Sequence, residues 1–179
     1  MTAEDILTFW FEELTPEAHF KKDPAMDAQI TERFLPLLES AEKSELWQWR
    51  SDARSSLAEI IVLDQFSRNI FRGQPRSFQN DAFALSLAQT AIIKGFDREL
   101  PISQRSFLYM PYLHSESLKI HEQAMKLFSQ KGLEFNLKFE QAHKAIIEQF
   151  GRYPHRNKIL GRENTLAEAK FLRENPEGF

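Results

Sequence analysis

The chain is 179 residues long, which is sufficient for one domain with one sizeable core and too short to predict two. Its 23 basic residues (Lys and Arg) against 26 acidic residues give a net charge of −3, so nucleic acid and membranes are not expected partners and any cationic function must be local. Cysteine is absent, which excludes disulfides, thiolate metal sites and a cysteine nucleophile.

The N-terminal segment and the hydropathy predict a cytoplasmic protein. The segment MTAEDILTFWFEEL has acidic residues where a signal peptide needs basic ones. No stretch approaches the roughly 20 consecutive apolar residues of a membrane-spanning helix. We therefore expect residues 1–179 to form a single soluble helical domain in the cytoplasm.

The periodicity of apolar residues is helical from the start of the chain. The spacing of Ile6 and Phe9 predicts an amphipathic first helix, with Thr2 as its N-cap. A second helix is predicted from about Asp23 to Glu42, and Pro36 is expected to kink it or split it in two.

The middle of the chain is also predicted to be helical. A helix from about Ala53 to Asn69 contains four consecutive apolar residues, Ile60 to Leu63, so it is expected to lie centrally. Another helix is predicted from Asp81 to Lys94. A further helix begins at Ser103, and Pro111 is expected to interrupt it.

The last third of the chain is predicted to contain three helices. The first runs from Tyr112 to Lys131, and the second has an apolar stripe that ends at Phe150. Thr165 and Glu168 form a capping box that opens a short last helix. These segments together predict an all-α stack of helical hairpins with about seven to nine helices.

Two segments share a pattern, in which an apolar helix is followed by an acid, Gln, Phe and two spaced arginines. Residues 58–72 are AEIIVLDQFSRNIFR, and residues 142–156 are AHKAIIEQFGRYPHR. An internal duplication would give two helix ends with equivalent acid–arginine groups. A chance match in a helix-rich chain is the alternative, and the sequence leaves both open.

The inner arginine of each segment lies four residues after an acid. Arg68 follows Asp64 and Arg152 follows Glu148, which is the favourable order for an ion pair along a helix. A cation near a helix C-terminus also complements the helix dipole. We therefore expect Arg68 and Arg152 to be mainly structural, although both remain candidates for ligand binding.

The outer arginines, Arg72 and Arg156, lie beyond the predicted helix ends and are the better candidates for ligand binding. Pro154 forces the chain out of the helix, so His155, Arg156 and Asn157 are expected to lie on an ordered loop. Guanidinium groups bind carboxylates and phosphates in a bidentate manner. The loop is predicted to bind an anion, and the alternative is that its arginines fix the C-terminal segment.

The histidines add a second set of candidates. His114, Glu116 and His121 lie in the segment YLHSESLKIHEQ. On one helix the two histidines would be about 10.5 Å apart along the axis, too far to share one metal ion. His114 is instead expected to be a hydrogen-bonding or acid–base group that faces the arginine segments. His143 is expected to be a partly buried structural histidine rather than a catalytic base.

Several motifs together resemble a known family. LDQFSRNIFRG (63–73), MPYLHSE (110–116) and FGRYPHRNKILGREN (150–164), with FKKDPAMD at 20–27, closely resemble the bacterial domain-of-unknown-function 924 family. The resemblance covers nearly the whole chain. It implies a right-handed stack of antiparallel helices similar to tetratricopeptide-repeat proteins, and it implies no activity. His19 stands where the family segment usually begins with an aromatic residue.

The family pattern gives weight to positions in the two arginine segments and in the His-Ser-Glu segment. They are Asp64, Gln65, Phe66, Arg68, Asn69, Arg72, His114, Ser115, Glu116, Phe150, Gly151, Arg152, Pro154, His155, Arg156, Asn157 and Gly161.

Three functions remain open. The first is a binding module for a small anionic ligand or peptide, and its candidate residues are Arg68, Arg72, His114, Glu116, Arg152, Arg156 and Asn157. The second is a metal-independent enzyme with His114 or His155 as acid–base and with arginines stabilising negative charge. The third is a structural scaffold. We expect no cofactor and no metal site, and the oligomeric state is not predicted.

Overall fold

The computed structural model describes residues 1–176, and the regular elements in this range are all helical. The α-helices are α1 (Ala3–Thr8), α2 (Pro24–Glu42), α3 (Ala53–Ile61), α4 (Ser67–Ile70), α5 (Asp81–Ile93), α6 (Phe96–Glu99), α7 (Ile102–Leu113), α8 (Leu118–Phe128), α9 (Glu134–Phe150), α10 (Asn157–Leu160) and α11 (Leu166–Glu174). A π-helical turn extends α1 (Phe9–Glu13), and another joins α3 to α4 (Val62–Phe66). Short 3-10 turns lie at Ala18–Phe20, Trp47–Ser51, Pro75–Phe78 and Pro154–Arg156. The all-α prediction is confirmed.

Polar side chains cap the helices where the sequence predicts them. The Thr2 hydroxyl accepts a hydrogen bond from the Asp5 amide, and the Asp5 carboxylate accepts one from the Thr2 amide. Thr165 and Glu168 form the same reciprocal pair at the start of α11. Each cap satisfies backbone N–H groups that have no partner inside the helix. Both predicted helix starts are therefore confirmed.

Two helices contain an internal proline, and neither helix ends at that proline. α2 runs through Pro36 as one helix, so the expected split is wrong. α7 likewise runs through Pro111 and ends at Leu113, and α8 starts only at Leu118. Proline removes one backbone hydrogen bond and its ring crowds the carbonyl four residues earlier, but the hydrogen bonds of the neighbouring residues still hold the helix together. The break therefore falls three residues after Pro111, and it places His114 outside any helix.

The chain divides into two compact units. Unit 1 comprises Met1–Arg72 and Arg76–Pro111, and unit 2 comprises Gly73–Pro75 and the chain from Tyr112 onward. The prediction of one domain stays a prediction. No helix within residues 1–176 is both long and apolar enough to cross a membrane.

The core of unit 1 is built around α3 and the π-helical turn that follows it. The predicted apolar run from Ile60 to Leu63 is fully buried, which confirms that this helix is central. Phe66, on the same segment, stacks on Phe34 with 4.8 Å between ring centroids, and Phe34 in turn packs on Phe9 at 4.8 Å. These rings join α2 to the π-helical turn after α1 and to the π-helical turn after α3 through apolar contact.

His19 packs as an aromatic ring in unit 1. Its imidazole stacks on Trp10 with 4.6 Å between centroids and meets the Phe107 ring edge-on at 5.0 Å. Its Nε2 lies 2.6 Å from the Trp10 carbonyl oxygen, so Nε2 carries the proton of this bond. Histidine therefore keeps the ring contacts that an aromatic residue would make at this position.

Unit 2 has a smaller core between α8, α9 and the segment after α9. Ile146, Ile147 and Tyr153 are buried together, and Phe150 and Phe171 pack against them. This core also contains buried polar side chains, and they lie where the sequence analysis placed its histidine candidates.

Candidate functional site

Arg68 forms the predicted ion pair with Asp64 in unit 1. Its Nη1 donates to the Asp64 backbone carbonyl at 2.8 Å and lies 3.2 Å from the Asp64 carboxylate. Its Nη2 lies 2.9 Å from Asp81 at the start of α5. The π-helical turn buries Asp64, so the arginine supplies charge compensation for an acid removed from water.

Arg72 forms an ion pair that the local sequence does not reveal. Its Nε and Nη2 donate to the two carboxylate oxygens of Asp27, at 2.5 and 2.8 Å, and Asn69 donates to the same carboxylate at 2.8 Å. Burial opposes ionisation of Asp27, yet the hydrogen bonds from Arg72 and Asn69 hold the pKa of this carboxyl below its ordinary value. Arg72 thus joins the end of α4 to the first turn of α2.

Arg152 does not pair with Glu148, so this expectation is wrong. Gly151 adopts the left-handed conformation with φ of 70° and ends α9, which removes Arg152 from the helix that carries Glu148. Arg152 instead donates to both carboxylate oxygens of Glu168 at 2.6 and 2.9 Å, and Glu148 pairs with Lys144. The hydrogen bond from Arg152 lowers the pKa of Glu168 to about 2.

The two segments with the shared pattern make different contacts. Asp64 is buried whereas Glu148 is exposed, and Arg68 pairs within its own helix whereas Arg152 pairs with α11. The first segment stays helical to Ile70, whereas the helix of the second ends earlier in the pattern. The two segments therefore do not form equivalent acid–arginine groups.

Tyr153 is the centre of a group of basic and polar side chains in unit 2. The tyrosine is 1% exposed, and its hydroxyl donates to the Leu113 carbonyl at 2.5 Å. The rings of His143 and His155 each lie 5.6 Å from the tyrosine ring, and the Arg156 guanidinium lies over it at 4.7 Å. We call this group, with two further histidines, the Tyr153 cluster: Tyr153, His114, His121, His143, His155 and Arg156.

Arg156 lies on a helical turn rather than on the expected loop. Pro154–Arg156 is a 3-10 turn that leads directly into α10, because proline is well suited to the first position of a helical turn. The Arg156 side chain is folded inward, so the residue is only 6% exposed. Its Nη2 donates to the His114 carbonyl at 2.9 Å, and this bond brings the two predicted site residues together.

Glu116 and Asn157 are both held by Arg162, which the sequence analysis did not select. The arginine donates to the two Glu116 carboxylate oxygens at 2.7 and 2.8 Å and to the Asn157 side-chain oxygen at 2.8 Å. The Tyr153 amide also donates to Glu116. Although burial opposes it, these bonds lower the pKa of the Glu116 carboxyl. The signal for Arg162 was its place in the motif FGRYPHRNKILGREN.

His121 forms a buried pair with Glu140. Its Nδ1 lies 2.7 Å from one carboxylate oxygen of Glu140, and its Nε2 lies 2.8 Å from the Ser115 carbonyl and 3.2 Å from the Tyr153 hydroxyl oxygen. His114 and His121 do not share a helix, so the expected spacing of 10.5 Å along one axis is wrong. Among residues 1–176, no three or more His, Asp or Glu side chains are arranged to hold a metal ion.

His143 is half-buried, which confirms the expected partial burial. Its Nδ1 lies 2.8 Å from the Phe139 carbonyl, so Nδ1 carries a proton. Burial lowers the pKa of His143 to about 4, and the positive charge of Arg156 acts in the same direction. The sequence does not reveal this shift, because the burial depends on packing and Arg156 lies outside the helix that carries His143.

The Tyr153 cluster therefore combines an aromatic ring with four histidines and one arginine inside a single unit. His155 is exposed, and His114 and His143 are partly exposed. Neutral and charged imidazoles donate hydrogen bonds, and guanidinium groups prefer carboxylates and phosphates. This arrangement is suited to interact with negative charge.

Comparisons with known proteins identify the family. The family described as bacterial protein of unknown function (DUF924) matches residues 6–176. The chain is also similar to the solved structure of the protein of unknown function ATU0120 from Agrobacterium tumefaciens, with a TM-score of 0.92, 38% sequence identity, and 96% of this chain and 97% of that chain covered. No curated protein matches. Because the family match spans nearly the whole chain, the protein belongs to the bacterial DUF924 family.

Proposed function

We propose that the protein binds a small anion at the Tyr153 cluster of unit 2. The observation that carries the proposal is the geometry around Tyr153, whose ring is in contact with the rings of His143 and His155 and with the charged guanidinium of Arg156. An anion close to these side chains is attracted by the charge of Arg156 and can accept hydrogen bonds from the imidazole rings.

The ligand class follows from the donors. Arg156 supplies a delocalised cation that lies over the Tyr153 ring. His155 supplies an exposed imidazole that packs against the same ring. Charge-assisted hydrogen bonds from such groups fit phosphate and carboxylate oxygens. We propose a phosphorylated or carboxylated small molecule, and a peptide carboxylate is an outcome that the test below separates.

The proposal does not use all predicted binding residues. Arg68, Arg72 and Arg152 each pair with a carboxylate in the folded chain. Glu116 and Asn157 are likewise held by Arg162. These contacts favour a scaffolding function as the second candidate, in which the arginines only stabilise the fold.

Catalysis by His114 or His155 stays a hypothesis. Such a reaction needs a bound substrate within reach of the histidine. Anion binding at the Tyr153 cluster is therefore the first step to test for the enzyme hypothesis as well.

The direct test is titration of the folded protein with inorganic phosphate, followed by proton–nitrogen correlation spectra of the histidine rings. We expect saturable changes at His143 and His155, while His19 in unit 1 serves as the internal reference. Sodium chloride at matched ionic strength controls for screening. Succinate and a peptide with a free carboxylate, used in place of phosphate, separate the ligand sources. Histidine signals that respond to these anions only as they respond to sodium chloride contradict the proposal.

Two variants locate the site. Arg156→Gln is expected to weaken phosphate binding about tenfold, the loss that corresponds to ~1.4 kcal/mol. Arg33→Gln removes the same charge from a solvent-exposed ion pair with Glu13 in unit 1, and it is the matched control. Because Arg156 is buried, His155→Gln provides a second variant at an exposed position, with a smaller expected loss. If both Arg156→Gln and His155→Gln bind phosphate with the affinity of the wild type, the Tyr153 cluster is not the binding site.

A further inference from the structure

We infer that the exposed part of the apolar stripe on α9 is a docking surface for a partner helix that carries a carboxylate beside an apolar side chain. The inference goes beyond the proposed anion site, because this surface contains none of the residues of the Tyr153 cluster. The precedent for the partner is α11, which packs against the other part of the same stripe.

One apolar stripe runs along the whole of α9. Its residues follow the three- and four-residue spacing that places side chains on one side of a helix: Phe135, Phe139, Ala142, Ile146 and Phe150. Ile146 is buried, whereas Phe135 and Phe139 are 60% and 43% exposed, and Ala142 is exposed as well. The stripe is therefore covered only toward the C-terminal end of α9. We call Phe135, Phe139 and Ala142 the open stripe.

Helix α11 shows what the covered part of the stripe binds. The Phe171 ring packs against Phe150 with 5.1 Å between centroids, and both rings pack against the core that contains Ile146. Three residues before Phe171, the buried Glu168 accepts two hydrogen bonds from Arg152, which follows the end of α9. The covered part thus binds an amphipathic helix through one aromatic ring and one acid, which lie on the same side of that helix.

The open stripe offers the same two elements to a partner. Phe135 and Phe139 present a pair of contacting rings, with 4.8 Å between centroids. Lys138 is exposed on the same part of α9, and within residues 1–176 it forms no ion pair. The carboxylate of Glu134, one turn earlier, accepts hydrogen bonds from a backbone amide instead. Exposed rings beside this cation favour a partner that has an apolar side chain next to a carboxylate.

The occupant follows from this comparison. A helix with an acid and an apolar residue three positions apart, as Glu168 and Phe171 are in α11, presents both to one surface. It can therefore contact the two exposed rings and Lys138 together. A basic helix would bring like charge to Lys138. Because the open stripe is continuous with the contact of α11, the partner would extend an existing helix–helix interface.

The probe is a synthetic peptide with the sequence of residues 165–176, TLAEAKFLRENP, blocked at both ends. It carries the acid and the ring of α11, and it does not displace α11 because a tethered helix competes at a high effective concentration. Addition of the peptide to the labelled protein should give saturable changes in the backbone amide signals of Phe135, Phe139 and Ala142. The amide signals of α11 should stay unchanged.

Two variants at exposed positions test the two parts of the contact. Phe139→Ser is expected to weaken peptide binding at least about tenfold, because the ring is an anchor of the interface. Lys138→Glu is expected to weaken it about threefold, and the Glu168→Lys peptide should bind this variant more tightly than it binds the wild type. The matched controls lie in unit 1, where Ile93→Ser removes an exposed apolar side chain and Lys43→Glu reverses an exposed charge.

The inference is wrong if Phe139→Ser binds the peptide as tightly as the wild type does, or if the peptide changes only the signals of α11. It is also wrong if sedimentation shows a dimer that Phe139→Ser dissociates, because the occupant is then a second copy of the chain. The phosphate titration of the histidine rings decides the anion site separately, so the failure of one proposal leaves the other unchanged.

Discussion

His121 and Glu140 face each other inside unit 2, with 2.7 Å between the histidine Nδ1 and one carboxylate oxygen and with both side chains fully buried. The His121 Nε2 faces the Ser115 carbonyl, which only accepts, so Nε2 carries a proton. The second carboxylate oxygen of Glu140 is buried without a hydrogen-bond partner. Burial also raises the pKa of Glu140. These contacts favour a neutral pair, in which protonated Glu140 donates to His121.

The neutral pair predicts that Glu140→Gln is well tolerated. A glutamine amide can donate to the His121 Nδ1 as the protonated acid does, so we expect a change in the free energy of unfolding of less than about 1 kcal/mol. Glu140→Ala leaves a cavity and an unpaired ring nitrogen, and it should cost about 2–4 kcal/mol. Urea unfolding near neutral pH measures both variants.

The pH dependence provides the control for this prediction. Because the folded-state pKa of Glu140 is raised above 4.5, the folded chain keeps a proton that the unfolded chain releases. The contribution of Glu140 to stability is therefore full below pH 4.5 and is lost as the pH rises toward the folded-state pKa. Glu140→Gln should gain stability relative to the wild type over that range. A loss of more than about 3 kcal/mol in Glu140→Gln would instead indicate an ionised pair.

Glu168 should make unit 2 sensitive to acid. Its folded-state pKa is lowered from 4.5 to about 2, first because Arg152 donates to it and then because the Thr165 amide does. The stability from this group is thus fully present above pH 4.5 and is lost as the pH falls toward about 2. Glu168→Gln should melt about 2–4 °C lower than the wild type near neutral pH, after allowance for solvent screening of Arg152.

The substitution at Glu168 is informative because glutamine keeps the capping box with Thr165. Only the ionic contact with Arg152 is lost, so the melting temperatures of variant and wild type should converge near pH 2. Circular dichroism melts at several pH values give this comparison. If the difference in melting temperature between Glu168→Gln and the wild type is the same at every pH, the ion pair with Arg152 does not contribute to stability.

The sequence predicts those parts of the fold that depend on neighbours within one helical turn. The caps at Thr2 and Thr165 and the pairing of Arg68 with Asp64 follow from spacings of three or four residues. The same local rule fails for Arg152, because one left-handed glycine ends the helix between the arginine and its expected partner.

The candidate site could be predicted only in outline. The motifs located Arg156 and His114, yet the bond between them joins residues 42 positions apart. Arg162 pairs with Glu116 at a separation of 46 residues. Such partners are selected by the packing of helices, and a spacing rule along one helix carries no information about them.

Arg72 and Asp27 should behave as a coupled pair. Asp27→Asn and Arg72→Gln are each expected to reduce the free energy of unfolding by about 1 kcal/mol, since the pair is partly exposed. The double variant should lose little more than either single variant, because the second substitution removes nothing further from a contact already broken. Chemical denaturation of the four proteins completes the cycle. Additive losses would show that Arg72 does not depend on Asp27.

His19 should be replaceable by phenylalanine more easily than by alanine. His19→Phe keeps the stack on Trp10 and loses only the hydrogen bond to the Trp10 carbonyl, so a cost of about 1 kcal/mol is expected near neutral pH. His19→Ala also loses the ring contacts with Trp10 and Phe107, and a cost of about 2–3 kcal/mol is expected.

The stabilities of the wild type and of His19→Phe should also respond differently to a fall in pH. Burial lowers the pKa of His19 below 6.5, so the unfolded chain binds a proton more readily than the folded chain does. The stability that depends on neutral His19 is fully present above pH 6.5 and is lost as the pH falls through the folded-state pKa. His19→Phe lacks this loss, so its disadvantage against the wild type should shrink as the pH falls from 6.5. A disadvantage that stays constant with pH would show that His19 titrates alike in the folded and unfolded chains.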